Sequence, residues 1–61
     1  MSWEQDLVNA QVSVSRSVWA MNERVEILPS GKNTKEYITI ELKEAIKSLK
    51  NALTQIQNQH V

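Results

Sequence analysis

The sequence contains no cysteine and only one histidine, one glycine and one proline in 61 residues. The absence of cysteine excludes disulfides, thiolate metal sites and cysteine nucleophiles. A domain of this size buries only about 60 % of its unfolded surface, and chains below roughly 70–80 residues are usually stabilised by disulfides, a metal or association. Of these three means of stabilisation, association is the one that this composition leaves open. We therefore expect one domain, residues 1–61, that associates with itself or with a partner.

Neither sign of charge is in excess, because seven Lys and Arg balance seven Asp and Glu. This balance argues against a general nucleic-acid binder and against a polybasic membrane anchor. No apolar run approaches the roughly 18 residues that a membrane helix needs, and the first residues are acidic where a signal peptide is basic. The sequence predicts a soluble, cytoplasmic chain without a membrane partner.

The first half of the chain has the apolar period of an α-helix. Its apolar positions are Trp3, Leu7, Ala10, Val14, Val18, Met21, Val25 and Leu28. Their mean spacing is about 3.6 residues, the repeat of an α-helix. Ser2, followed three residues later by Gln5, fits an N-terminal capping box. The pattern predicts a helix over about residues 3–28, with this stripe facing the core.

The second half repeats the pattern with a broader apolar stripe. Its members are Ile38, Leu42, Ala45, Ile46, Leu49, Ala52, Leu53 and Ile56. Asn33 followed by Glu36 indicates a capped start, and we predict a helix over about residues 34–59. Pro29 and Gly31 mark a turn between the two halves. The predicted fold is an all-α antiparallel helical hairpin that oligomerises into a four-helix or larger bundle.

A β-hairpin is the alternative for the middle of the chain. Residues 25–28 and 37–40 are rich in β-branched and apolar side chains, and they could pair between two shorter helices. The helical periodicity runs without interruption through both segments, which favours the helical hairpin.

A second row on the first helix predicts an interface for oligomerisation or for a protein partner. The row consists of Val8, Val12, Ser15, Trp19 and Asn22. At about 100° per residue it lies roughly 140° round from the first stripe, so one neighbouring helix cannot cover both. Asn22 is a candidate for fixing register and copy number, as buried polar residues do in helical oligomers.

Residues that could carry catalysis or hold a metal are few and dispersed. His60 stands next to the C-terminus, where it would complement the negative end of the second helix. The seven acidic residues are spread along the chain, without the histidine or carboxylate pairs of a metal site. We predict no catalytic residue, no metal and no cofactor, and expect that the chain is not an enzyme.

Lys32 and Lys35 lie at the predicted start of the second helix, a position that suits a small anion. The Gly31-Lys32 pair is not a P-loop, because the required upstream glycine is replaced by Glu26 and no Ser or Thr follows the lysine. Lys43, Lys47 and Lys50 form a basic row that could touch phosphates, although neighbouring glutamates favour a solvated surface.

These features predict a non-enzymatic, self-associating helical interaction module: a small adaptor, regulator or inhibitor of a protein partner. One alternative is an oligomer that binds an anionic metabolite or nucleotide between subunits. A second alternative is a nucleic-acid-binding hairpin, although the net charge of zero argues against it.

Overall fold

The computed structural model describes residues 2–59, which form two α-helices, α1 Trp3–Asn22 and α2 Thr34–Asn58. The helices pack against each other as an elongated hairpin with extents of 47 × 15 × 14 Å. Asp6, near the start of α1, bonds to Gln55, near the end of α2, so the helices are antiparallel. The all-α hairpin is confirmed. His60 lies outside the described residues.

Both helices begin at the predicted caps. The Ser2 side chain accepts a hydrogen bond from the Gln5 N–H at 3.2 Å, and Asn33 accepts one from the Glu36 N–H at 3.1 Å. Each bond satisfies a backbone donor that a helix start leaves unpaired. The Gln5 side chain donates to Asn9 at 3.1 Å instead of returning to the cap. The sequence therefore predicts the first residue of both helices correctly.

The first helix is six residues shorter than predicted, because it ends at Asn22 and not near residue 28. The Glu23 N–H still reaches the carbonyls of Trp19 and Ala20, each at 3.3 Å, but Arg24 adopts φ +53°. A left-handed residue at this point terminates an α-helix. The apolar period that continues to Leu28 is thus carried by a loop. The second helix ends at Asn58, one residue before the predicted end.

The loop over residues 23–33 folds back on itself through backbone hydrogen bonds. The Gly31 N–H donates to the Leu28 carbonyl at 2.8 Å, and the Leu28 N–H donates to the Lys32 carbonyl at 2.8 Å. Pro29 occupies the first corner of this turn, and Gly31 has φ +91°, a conformation that favours glycine. Leu28 itself is only 2 % exposed.

Strand pairing in this region amounts to a single β-bridge between Ile27 and Asn33. Residues 37–40 belong to α2, so the β-hairpin alternative is wrong. The Thr34 N–H donates to the Glu26 carbonyl at 2.9 Å, and its hydroxyl donates to the Val25 carbonyl at 2.6 Å. Thr34 therefore ties the first residue of α2 to the chain that leaves α1.

The two helices meet along a line of small side chains, which we call the seam. Its buried members are Asp6, Ala10, Ser13, Ser17 and Ala20 on α1, and Thr34, Ala45 and Ala52 on α2. On α1 they alternate by four and three residues, as in a helical seam. Small side chains allow helix axes to approach closely. In the first stripe, predicted to face the core, Ala10 and Leu28 are buried and Trp3 is half-buried. The other five residues are exposed, so the prediction is wrong for them.

Candidate interaction surface

The large aliphatic side chains that would fill an ordinary core are displaced to one side of the seam. Nine of them are between 41 and 58 % exposed. We call this set the aliphatic face: Leu7, Val14, Val18, Met21, Val25, Leu42, Ile46, Leu49 and Leu53. In an antiparallel pair, the residues one position after the seam residues point to the same side of the hairpin on both helices. Leu42 and Leu49 lie on that side of α2 because they stand four residues before Ile46 and Leu53.

Contacts at the loop end agree with this assignment. Met21 and Val25 line one pocket together with Thr34 and Ile38 of α2. Ile38 and Ile56 lie at the same edge of α2 and are partly buried. The aliphatic face therefore combines side chains from both helices and from the loop that follows α1.

Charged side chains meet the aliphatic face at its loop end, where Glu26 and Lys35 line the pocket that contains Met21 and Val25. Between Leu7 and Met21, the only charged residue of α1 is Arg16. Its guanidinium lies on the other side of the hairpin, where Nη1 is 3.8 Å from Oε2 of Glu41. On α2, Lys43 and Lys50 border the face at helical spacing. Monomeric proteins rarely expose a contiguous apolar patch of more than a few hundred Å², and larger patches mark interaction sites.

The predicted row of Val8, Val12, Ser15, Trp19 and Asn22 lies on the side of α1 away from the aliphatic face, and all five residues are exposed. We call it the tryptophan row. Val12, Ser15 and Trp19 line one shallow groove together with Gln11 and Arg16. The structure thus brings together three of the five predicted residues. Whether the row forms an interface stays a prediction.

Tyr37 belongs to this surface but could not be assigned to it from one helix alone. Its ring meets the Trp19 ring edge-on, with centroids 6.4 Å apart and an angle of 76° between planes. Such T-shaped aromatic pairs are favourable. Tyr37 can be assigned to this surface only once the antiparallel register is known, because that register places the start of α2 beside the end of α1.

A polar groove runs between the helices on the side of the tryptophan row. It is lined by Asp6, Asn9, Val12, Ser13, Arg16, Glu41, Glu44, Lys47, Ser48 and Asn51. Asp6 is 1 % exposed, and its Oδ2 accepts a hydrogen bond from Gln55 Nε2 at 2.8 Å. Within residues 2–59, the buried atoms Asp6 Oδ1 and Glu41 Oε2 have no hydrogen-bond partner. Sequence reasoning missed Asp6 because an acidic residue in the first turn reads as a partner of the helix dipole.

The two lysines of the predicted anion site line different pockets. Lys32 lines one pocket with Gly31 and Tyr37, and its Nζ lies 6.0 Å from the centroid of the Tyr37 ring. Lys35 lines another pocket with Met21 and Val25. The two lysines therefore do not share a pocket, and the anion site stays a prediction.

Within the described residues, no three His, Asp or Glu side chains gather as a metal-binding group. Neither described helix has an apolar stretch long enough to cross a lipid bilayer. Comparisons with protein-family models, with curated proteins and with solved structures found no significant match.

Proposed function

We propose that this chain is a non-enzymatic, self-associating helical interaction module that acts in the cytoplasm as a small adaptor, regulator or inhibitor of a protein partner. The observation that carries the proposal is the aliphatic face: nine large apolar side chains stand 41–58 % exposed on one side of a two-helix hairpin. Exposed apolar area of this kind is removed from water by association.

The composition of the seam adds a second argument for association. The buried apolar residues of the described chain are four alanines and Leu28. Burying an alanine removes little apolar area compared with a leucine or valine, so one hairpin gains little hydrophobic free energy from its own core. Covering the larger side chains supplies the missing stabilisation in this proposal.

Light scattering across a dilution series, with helicity followed in parallel by circular dichroism, tests the proposal. We expect a helical species of at least twice the chain mass that persists into the low micromolar range. A chain that stays monomeric and fully helical at every concentration would contradict self-association. A chain that is monomeric and poorly helical would assign completion of the core to a foreign partner.

The anionic-ligand alternative remains a prediction from the sequence, placed at Lys32 and Lys35. It predicts that inorganic phosphate or a nucleotide raises the melting temperature in a way that Lys32→Ala reduces, whereas the interaction module predicts no such shift. Binding of nucleic acid through Lys43, Lys47 and Lys50 would require an affinity that falls steeply with salt.

A further inference from the structure

We infer that the aliphatic face is occupied by a second copy of this chain, in a face-to-face dimer of four helices that leaves the tryptophan row on the outside. This inference rests on the proposed self-association. It names the surface and the occupant, and it departs from the expectation that the tryptophan row forms the self-association interface.

Accessible area supports a second copy of the same size. The hairpin exposes 4807 Å², whereas a typical folded monomer of this mass exposes about 4,000 Å². The excess is on the order of 800 Å², which is about the area that each partner contributes to a standard protein interface. A dimer that buries about 800 Å² of each hairpin would therefore bring the exposed area of the chain into the normal range.

The chemistry of the face suits an isologous contact. In a dimer with twofold symmetry the same patch meets itself, so a charged patch would place like charges together. The aliphatic face contains only Leu, Val, Ile and Met side chains, and Arg16 lies on the opposite side of the hairpin, near Glu41. Along the helices two such faces can meet without burying an unpaired charge, which is costly. At the loop end, Glu26 and Lys35 beside Met21 and Val25 carry opposite charges.

The opposite side of the hairpin is less suited to a dry contact with its own copy. It carries the polar groove, whose charged lining residues are Asp6, Arg16, Glu41, Glu44 and Lys47. Trp19 already packs edge-on against Tyr37 of its own chain. A surface with charges of both signs around a few aromatic and aliphatic residues resembles an interface with a small apolar core and a large polar rim. In this dimer the tryptophan row remains available to a different protein.

A pair of matched alanine variants on α2 tests the inference. Leu49 lies on the aliphatic face and is 46 % exposed, whereas Ile40 lies on another side of α2 and is 62 % exposed. We expect Leu49→Ala to raise the dissociation constant of the dimer roughly 100-fold or more, because each dimer loses two buried leucine side chains. Ile40→Ala should change it less than about threefold.

Trp19→Glu completes the experiment, with dissociation constants measured by analytical ultracentrifugation and helicity by circular dichroism. We expect Trp19→Glu to keep the wild-type mass. Weakening by Leu49→Ala with retention in Ile40→Ala and Trp19→Glu supports the inference. If Trp19→Glu dissociates the oligomer and Leu49→Ala does not, the inference is overturned while the proposed self-association stands. If the wild-type chain is a helical monomer, both fail.

Loss of fold would not obscure the result. Leu49→Ala keeps a good helix-forming residue in the middle of α2, and Leu49 is outside the buried seam. Should the variant be less helical at low concentration, its helicity must return as the chain concentration rises if only dimerisation is weakened. Helicity that stays low at all concentrations, with the same loss in Ile40→Ala, would overturn the assignment of Leu49 to an interface.

Discussion

At the scale of single residues, Thr34 is the position where the loop and α2 are joined. Both its N–H and its hydroxyl donate to carbonyls of the preceding segment, those of Glu26 and Val25. The residue is 8 % exposed, so water cannot readily replace either bond. Thr34 therefore fixes the direction in which the chain re-enters the hairpin. Its two buried hydrogen bonds should contribute more to the stability of the fold than a typical surface ion pair does.

Thr34→Val should destabilise the fold by about 1–3 kcal/mol, because it keeps the shape of the side chain and leaves the Val25 carbonyl without its 2.6 Å donor. Thr39 offers a matched control, since its hydroxyl donates to the carbonyl of Lys35 on an exposed part of α2. Thr39→Val should cost less than about 0.5 kcal/mol. Urea unfolding of both variants at one chain concentration checks the difference, and equal midpoints would contradict it.

At the scale of the helices, sequence located the helix starts but not the surface on which the helices meet. Ser2 and Asn33 are caps whose hydrogen bonds are local, within three residues, and local chemistry can be read from local sequence. The end of α1 is different. Arg24 carries no turn signature, and the bonds that hold the loop reach from Val25 and Glu26 to Thr34. These pairings depend on the folded hairpin.

The choice of seam also depends on what the second helix offers. A ranking by hydrophobicity places Leu7 and Val14 inside before Ser13 and Ser17, yet the serines are buried and the larger residues are exposed. Ser17 is accommodated because its hydroxyl donates to the Ser13 carbonyl at 3.0 Å. The sequence does contain the seam spacing, in Asp6, Ala10, Ser13, Ser17 and Ala20. Only the packing of the two helices shows that small side chains are preferred over hydrophobic ones at these positions. The predicted tryptophan row and the two lysines are placed by the structure, while their roles remain predictions.

The size of the seam residues leads to a prediction at this scale. Ala52 is 2 % exposed in the seam, so Ala52→Leu would force the helices apart or displace a side chain. We expect a loss of about 1–3 kcal/mol from such overpacking. Thr54→Leu places the same side chain at an exposed position two residues later and should be nearly neutral. Urea unfolding at one concentration distinguishes them; a stabilised Ala52→Leu would mean that the helices have room between them.

At the scale of the whole molecule, the hairpin divides its residues between two tasks. Small side chains hold the helices together along the seam, and large ones lie beside it where a single chain cannot cover them. An arrangement of this kind makes the stability of the fold depend on its partner, because whatever binds the folded state alone stabilises it by mass action. In the proposed dimer, folding and association become one equilibrium.

The melting temperature should therefore rise with chain concentration. If unfolding is coupled to dissociation, a 100-fold increase in concentration adds about 2.7 kcal/mol per dimer. With an unfolding entropy of about 2.1 cal/mol/K per residue, two 61-residue chains would shift their midpoint by roughly 10 °C. Thermal scans by circular dichroism from about 2 to 200 μM measure the shift. Leu49→Ala should melt lower than wild type at every concentration and Ile40→Ala close to wild type, because only the former weakens the interface. A midpoint that is independent of concentration would mean that one hairpin is stable with its aliphatic face in water.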